Sequence, residues 1–201
     1  MAKSRDSQVI RLIRKMGLVR PADLEARGVA RAELYNLRDK GLVAREARGL
    51  YVVSEHPYTA EHALAQVAKR VPAGVFCLLT ALRFHGLTTQ NPAEVWLALP
   101  EKARKPRLDY PRLRVARFSG DALTAGIETH RIEGVEARVY SAAKTVADCF
   151  KYRNKIGLDV ALEGLRDGWQ KGKLPMDALW HYATVNRVAN VMRPYLESVT
   201  A

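Results

Sequence analysis

The sequence has few features of membrane or secreted proteins. It contains no apolar run of about 18 residues or more, so it predicts no membrane-spanning helix. Its start, MAKSRDSQV, turns polar at once and lacks the apolar middle of a secretory signal. The two cysteines, Cys77 and Cys149, each lie among apolar residues, which favours buried free thiols over a disulfide or a metal pair. We therefore expect a cytoplasmic protein with no membrane partner.

Motifs for catalysis are also absent. There is no P-loop and no GxSxG, and none of the 5 histidines forms an HExxH or a metal-spaced pair with a cysteine. His85 precedes a glycine at the end of an apolar helix, as a core or capping histidine would. Asp148 and Lys144 are four residues apart on one helix face, which predicts a structural pair. We expect no enzyme, no catalytic residue, no metal and no cofactor.

Positive charge is abundant. The 201 residues include 33 Lys and Arg against 21 Asp and Glu, giving a net charge of +12, with a pI near 10.0. Such a balance favours a polyanionic partner, which could be DNA, RNA, an anionic membrane or an acidic protein. The first 55 residues are more basic for their length than the remainder. Charge thus directs attention to the N-terminal segment.

The N-terminal segment predicts three helices and a hairpin. Apolar residues at helical spacing in SQVIRLIRKMG predict a first helix capped by Ser7, and Pro21 suits the start of a second, PADLEARG. The third helix is ARAELYNLRDKG, and LVARE and GLYVV flank a glycine-containing turn. Residues 1–55 therefore predict a winged helix-turn-helix that binds DNA, although winged helices also serve as protein-binding modules.

Candidate DNA contacts follow from this geometry. The third helix would enter the major groove and the hairpin would meet the backbone or the minor groove of the same duplex. The candidate groove contacts on the helix are Arg31, Tyr35, Asn36 and Arg38. The candidate phosphate contacts are Arg20 and Lys40, with Arg45 and Arg48 at the hairpin. Glu33 and Asp39 would repel phosphate if they faced it, so they restrict how the helix can dock.

The remainder, residues 56–201, predicts a mixed domain. Helices are predicted at 60–71 and 74–88, a strand at 95–100, a further strand within 112–118 and two strands at 126–141, followed by helices from Ser141. The fold class is therefore α+β, with a small β-sheet and a C-terminal helical part. The most basic stretch is a candidate second nucleic-acid or partner surface, or else an ordinary solvated face. Its candidates are Lys102, Arg104, Lys105, Arg112, Arg114 and Arg117.

Several segments together resemble a known family. The winged helix ending in GLYVV is followed by LLTALRFHGLT, VWLALP, a basic segment, VYSAAKTVADCF and ALEGLRDG. This order is similar to the AbiEi antitoxins of type IV toxin–antitoxin systems and covers most of the chain. Many members have Arg where this chain has Lys144, which keeps the charge but changes the geometry of any pairing.

The resemblance implies a function in phage defence. The N-terminal domain would bind inverted repeats in the protein's own promoter and repress it. The C-terminal domain would neutralise an AbiEii-type nucleotidyltransferase toxin encoded next door, without a stable complex between the two proteins. The family offers no catalytic residues to carry over.

Two alternatives stay open at this point. One is a plain winged-helix transcriptional regulator whose C-terminal domain senses a ligand or dimerises. The other is a nuclease or transferase guided by the winged helix, which would need two or three carboxylates to converge on a metal.

Overall fold

The chain divides into two compact units. The computed structural model describes the backbone of residues 2–200 and the side chains of residues 5–199. One unit comprises Met1–Pro72 with His130–Ala137, and the other comprises Ala73–Thr129 with Arg138–Ala201. The first unit thus extends beyond residue 55, while the functional division into 1–55 and 56–201 stays a prediction. Among the described helices, none combines the length and the apolar character needed to cross a membrane.

The first unit contains the winged helix. Its elements are α1 (Ala2–Met16), α2 (Pro21–Glu25), α3 (Arg31–Asp39), β1 (Val43–Ala47), β2 (Leu50–Val53) and α4 (His62–Arg70). The predicted cap at Ser7 is wrong, because α1 begins at Ala2. No glycine or proline lies between Ala2 and Ser7 to stop the helix from extending upstream.

One isolated β-bridge connects the hairpin to the segment between α1 and α2. β1 and β2 pair antiparallel, and Val19 pairs with Tyr51, with N···O distances of 2.9 Å in both directions. The strand predicted at 18–20 is reduced to this bridge. Apolar side chains from α1, α2, α3, the hairpin and the loops between the helices form one core: Val9, Ile13, Val19, Leu24, Val29, Leu34, Leu37, Val43, Tyr51 and Val53. The order of helices and hairpin confirms the predicted winged helix-turn-helix.

The second unit carries a mixed sheet and most of the helices. Its strands are β3 (Val75–Phe76), β4 (Val95–Pro100), β5 (Leu113–Phe118), β6 (Ile127–Ile132) and β7 (Val135–Tyr140). The sheet order is β5-β4-β3-β7-β6. β4 lies antiparallel to β3 and parallel to β5, and β3 lies parallel to β7. The tip of the β6–β7 hairpin, His130–Ala137, belongs to the first unit by its contacts.

The helices of this unit pack around a single large core. They are α5 (Leu78–His85), α6 (Asp121–Thr124), α7 (Ala142–Lys151), α8 (Arg153–Ile156), α9 (Leu158–Gln170), α10 (Met176–Val185) and α11 (Ala189–Thr200). The hydroxyl of Ser141 caps α7 by accepting the backbone N–H of Lys144. The small sheet with helices before and after it confirms the predicted α+β class.

One predicted helix is wrong at its start. The apolar run predicts a single buried helix at 74–88, but Val75 and Phe76 form β3 and pair with Ala98 and Leu97 of β4. The helix begins only at Leu78. A continuous apolar run reads alike as a buried strand or a buried helix, so its pairing partner decides between them.

Candidate nucleic-acid interface

Helix α3 and the hairpin lie side by side. The ring centroids of Tyr35 on α3 and Tyr51 on β2 are 6.3 Å apart. Arg45 on β1 lies directly opposite Tyr51 in the antiparallel register, so their side chains share one face of the hairpin. Arg45 therefore lies on the face of the hairpin that contacts α3.

Helix α3 buries one face and exposes the other. Leu34 and Leu37 are 0% and 1% exposed and pack in the core of the first unit. At about 100° per residue, the opposite face presents Asn36 and Asp39. Tyr35, which is 37% exposed, lies between this outward face and the hairpin. The geometry suits a helix that enters a groove with its outward face leading.

The two arginines of α3 are each held by a neighbouring carboxylate. Arg31 contacts Glu25 with an N···O distance of 2.7 Å, and Arg38 contacts Asp39 at 2.7 Å. These hydrogen bonds raise the pKa of both guanidinium groups, so both stay charged. Both pairs are exposed, so phosphate or a base edge can compete with the carboxylate for each arginine.

The two predicted phosphate contacts outside the hairpin are also engaged. Lys40 lies 2.6 Å from Asp6 of α1. The guanidinium of Arg20 donates to the carbonyl oxygen of Lys69, and its side chain is only partly exposed. Arg20 therefore has less freedom to reach a ligand than the other candidates.

The hairpin arginines differ from the helix cations. Arg45 and Arg48 are both exposed. Within the described part of the chain, no ion pair involves either of them. Arg48 and Gly49 form the turn between the two strands. Among the exposed candidate cations that the structure describes, these two arginines are therefore the ones for which no carboxylate competes with DNA.

The acidic residues of α3 are placed differently from each other. Glu33 faces α1, where it accepts a hydrogen bond of 2.9 Å from Arg5, and it also accepts the backbone N–H of Ala30 at 3.2 Å. These hydrogen bonds lower the pKa of Glu33. Asp39 has a side chain that is 65% exposed. Of the two carboxylates, Asp39 is therefore the one that restricts how α3 docks.

The second basic surface does not form one face. Arg114 stacks on the Trp96 ring at 4.6 Å and lies 3.6 Å from Glu94. Arg117 instead donates to the carbonyl oxygen of Pro100 at 2.8 Å. Strand alternation places these two arginines on opposite faces of β5.

The rest of the second surface is exposed. Arg112 is exposed and lies directly before β5. Three more cations are exposed in the loop after β4: Lys102, Arg104 and Lys105.

The core of the second unit holds a buried polar group. Lys144 Nζ lies 2.5 Å from Asp148 Oδ1, and both side chains are 0% exposed. Asn186 donates to the same oxygen at 2.7 Å. His85 Nε2 lies 2.7 Å from the carbonyl oxygen of Tyr140. These contacts confirm the structural pairing predicted for Lys144 and Asp148 and fit the core or capping position predicted for His85.

One cluster was missed by the sequence analysis. His56, His62 and Glu133 bring three potential metal-ligand atoms within 4.8 Å of one another. It is the only such group of three among the described His, Cys, Asp and Glu residues. Glu133 is 77 residues from His56 and 71 from His62. No spacing motif connects residues so far apart, so only the fold could reveal the cluster.

Comparison with known proteins supports the winged helix. Residues 7–54 match the model of a family described as "Transcriptional regulator, AbiEi antitoxin", which confirms the resemblance inferred from the sequence for this segment. No curated protein matches the chain. Among solved structures, the chain is similar to the RV2827C protein from Mycobacterium tuberculosis, with a TM-score of 0.59 and 15% identity over 91% of this chain and 71% of that chain. At that identity the likeness concerns the fold.

Proposed function

We propose that this chain, whose winged helix matches regulators of the AbiEi antitoxin family, binds double-stranded DNA and acts as the antitoxin of a type IV system. The observation that carries the proposal is the adjacency of α3 and a hairpin that presents Arg45 and Arg48 without carboxylate partners among the described residues. The net charge of +12 adds a general attraction to the phosphate backbone.

Binding would begin at the hairpin. Arg45 and Arg48 reach phosphate without first leaving a carboxylate, so they provide affinity that does not depend on sequence. Helix α3 then enters the major groove with Tyr35 and Asn36. Asn36 can bond an adenine edge in bidentate fashion.

Sequence reading by arginine requires an exchange of partners. Arg31 leaves Glu25, and Arg38 leaves Asp39, when each meets a guanine edge or a phosphate. When an arginine leaves its carboxylate, the guanidinium loses two hydrogen bonds and the carboxylate gains only water. DNA sites that offer two acceptors to the guanidinium are therefore favoured, because they replace both of the hydrogen bonds that it loses. The local ion pairs therefore add discrimination against sites that offer a single acceptor.

In the cell, the proposed target is the protein's own promoter, at inverted repeats. Repression there would depend on the winged helix. Neutralisation of an AbiEii-type nucleotidyltransferase encoded by the adjacent gene would depend on residues 56–201, without a stable complex between the two proteins. The family described for residues 7–54 is one of regulators, and the proposed activity requires no catalysis by this chain.

The division of labour is tested in the full-length chain. The variant Arg45→Ala/Arg48→Ala should lose repression of a reporter driven by the upstream intergenic fragment. The same variant should still restore growth when it is co-expressed with the neighbouring nucleotidyltransferase. Loss of both activities would contradict the division, and retention of repression would contradict the proposed interface. If the adjacent gene encodes no nucleotidyltransferase, a plain regulator with a sensing or dimerising C-terminal domain replaces the antitoxin.

The second surface has its own test. The exposed cations Lys102, Arg104 and Lys105 would add phosphate contacts on a long duplex. The triple alanine variant should bind a long operator fragment more weakly than wild type, with unchanged affinity for a duplex that covers only one half-site. Equal affinities for the long fragment would show that these residues form a solvated face.

A further inference from the structure

The first unit contains a group of imidazoles and carboxylates outside the DNA interface. Glu133 Oε2 lies 2.9 Å from His56 Nε2 and 2.6 Å from His62 Nδ1. The side chains of His56, His62 and Glu133 are 6%, 14% and 2% exposed. Three good ligand atoms therefore converge in a site that is largely shielded from solvent.

A second carboxylate borders this group. Glu46 Oε1 lies 3.1 Å from His62 Nε2, on the far side of the ring from Glu133. Among the described ion pairs, no Lys or Arg pairs with Glu46 or Glu133. Because no described Lys or Arg serves, the positive charge that offsets these two carboxylates comes either from protons on the imidazoles or from a bound divalent cation.

We propose that His56, His62 and Glu133 bind Zn²⁺ through His56 Nε2, His62 Nδ1 and Glu133 Oε2, with an open fourth position for water. Two imidazoles and one carboxylate are a donor set that zinc uses in proteins. The proposal is independent of DNA binding and of the antitoxin assignment.

The distances between the three ligand atoms allow zinc to bind after a small adjustment. Zinc ligands lie about 2.0–2.2 Å from the ion, so neighbouring ligand atoms in a tetrahedral site are separated by about 3.3 Å. The carboxylate-to-imidazole distances of 2.6 and 2.9 Å must therefore open by about half an ångström when the protons between the atoms are replaced by the ion.

Outer contacts hold the ligands in orientation. With His62 Nδ1 on the ion, its Nε2 proton faces Glu46 Oε1, which is the carboxylate–histidine–metal arrangement common around zinc. Gln66 donates to Glu46 Oε1 at 2.8 Å, and Tyr58 donates to Glu46 Oε2 at 2.8 Å. Both carboxylate oxygens of Glu46 are thus fixed.

The backbone at Glu133 has an unfavourable conformation. Glu133 and Gly134 form the two-residue turn between β6 and β7, with φ of +47° and +80°. A turn with both φ values positive favours Asn-Gly, and a glutamate in its first position is strained. The strain persists because Glu133 Oε1 accepts hydrogen bonds from the backbone N–H and the hydroxyl of Thr59, at 2.7 and 2.8 Å.

The ion would cross-link three segments of the first unit. His56 follows the hairpin strand β2, His62 begins α4, and Glu133 lies at the tip of the β6–β7 hairpin. Glu46 of β1 would be held through His62. The ion would therefore connect the segment that follows the winged helix to the tip of the β6–β7 hairpin.

The test uses the full-length chain after treatment with EDTA and dialysis. Titration with Co²⁺ should produce the intense visible bands of a four-coordinate ion at one equivalent per chain, and Zn²⁺ should bleach them. The variants His62→Ala and Glu133→Gln should lose the bands, while the control His181→Ala, which removes an exposed histidine, should keep them. Glu46→Gln should weaken metal affinity by about 10–100-fold.

Two results would overturn the proposal. One is a wild-type spectrum that stays that of hydrated Co²⁺, which decides the question even if a variant fails to fold. The other is unchanged Co²⁺ affinity in His62→Ala and Glu133→Gln with circular dichroism like that of wild type.

Discussion

The sharpest prediction concerns the salt dependence of DNA binding by the hairpin arginines. Each phosphate neutralised by a cation contributes about 0.9 to the slope of log affinity against log salt concentration. Arg45 and Arg48 are exposed and lack ion pairs among the described residues, so each should contribute in full. Arg45→Ala/Arg48→Ala should therefore reduce the magnitude of the slope by about 1.8.

This change has a measurable consequence. Between 100 and 200 mM salt, wild type should lose about 3.5-fold more affinity than the double variant, since 2 raised to about 1.8 is about 3.5. Fluorescence anisotropy with a labelled duplex from the upstream region gives both affinities. Loss of sequence-independent contacts should leave the preference for that duplex over a scrambled one unchanged.

The control removes the same charge elsewhere. Arg11→Ala/Arg166→Ala replaces exposed arginines of α1 and α9 and should leave the slope within about 0.5 of wild type. If the hairpin variant changes the slope no more than this control does, the hairpin does not contact the backbone. If it relaxes sequence preference instead, the hairpin reads bases.

Three further predictions concern an ion pair, a buried pair and a close approach. Glu25→Gln should raise DNA affinity at low salt, because Arg31 loses its carboxylate partner. Fluorescence anisotropy measures this affinity. Lys144→Met should lower the free energy of unfolding in urea by about 3–5 kcal/mol, because it leaves Asp148 buried without a counterion. Burial raises the pKa of Asp148 and the Lys144 charge opposes this rise, so the pKa is raised further in the variant. The folded variant therefore binds the proton more tightly than the folded wild type does, and the loss should grow from pH 5 to pH 8. Gly17→Ala should cost about 3 kcal/mol or more in the same assay, because φ is +68° and an added Cβ would lie 1.7 Å from a backbone carbonyl oxygen.

Matched variants separate these effects from simpler ones. Glu55→Gln makes the same charge change at a side chain that is 90% exposed and should raise affinity less than Glu25→Gln does. Lys144→Met/Asp148→Asn should recover most of the loss of the single variant, since a neutral amide needs no counterion and its oxygen can still accept the hydrogen bond from Asn186. Gly28→Ala has a similar φ of +74° with nothing within 4 Å, so it should cost only about 1–2 kcal/mol. Equal effects in any variant and its control would contradict the corresponding explanation.

Local patterns determined most of the winged helix. Leu34 and Leu37 at helical spacing placed α3, and the alternating residues around Gly49 placed the hairpin. The same patterns failed at residues 74–88, where Val75 and Phe76 belong to a strand. Hydrophobic periodicity reports on a single segment of the chain. Val75 and Phe76 form a strand because β4 pairs with them, and β4 lies elsewhere in the sequence.

The sequence by itself determined the α+β class, the winged helix and the positions of its cations, because these follow from spacings of a few residues and from charge. Only the tertiary structure decided which of those cations have carboxylate partners, since Lys40 meets Asp6 across 34 residues. It also decided that Glu133 joins His56 and His62. Contacts of this kind depend on how buried faces pack across the fold, and no short-range pattern encodes that packing.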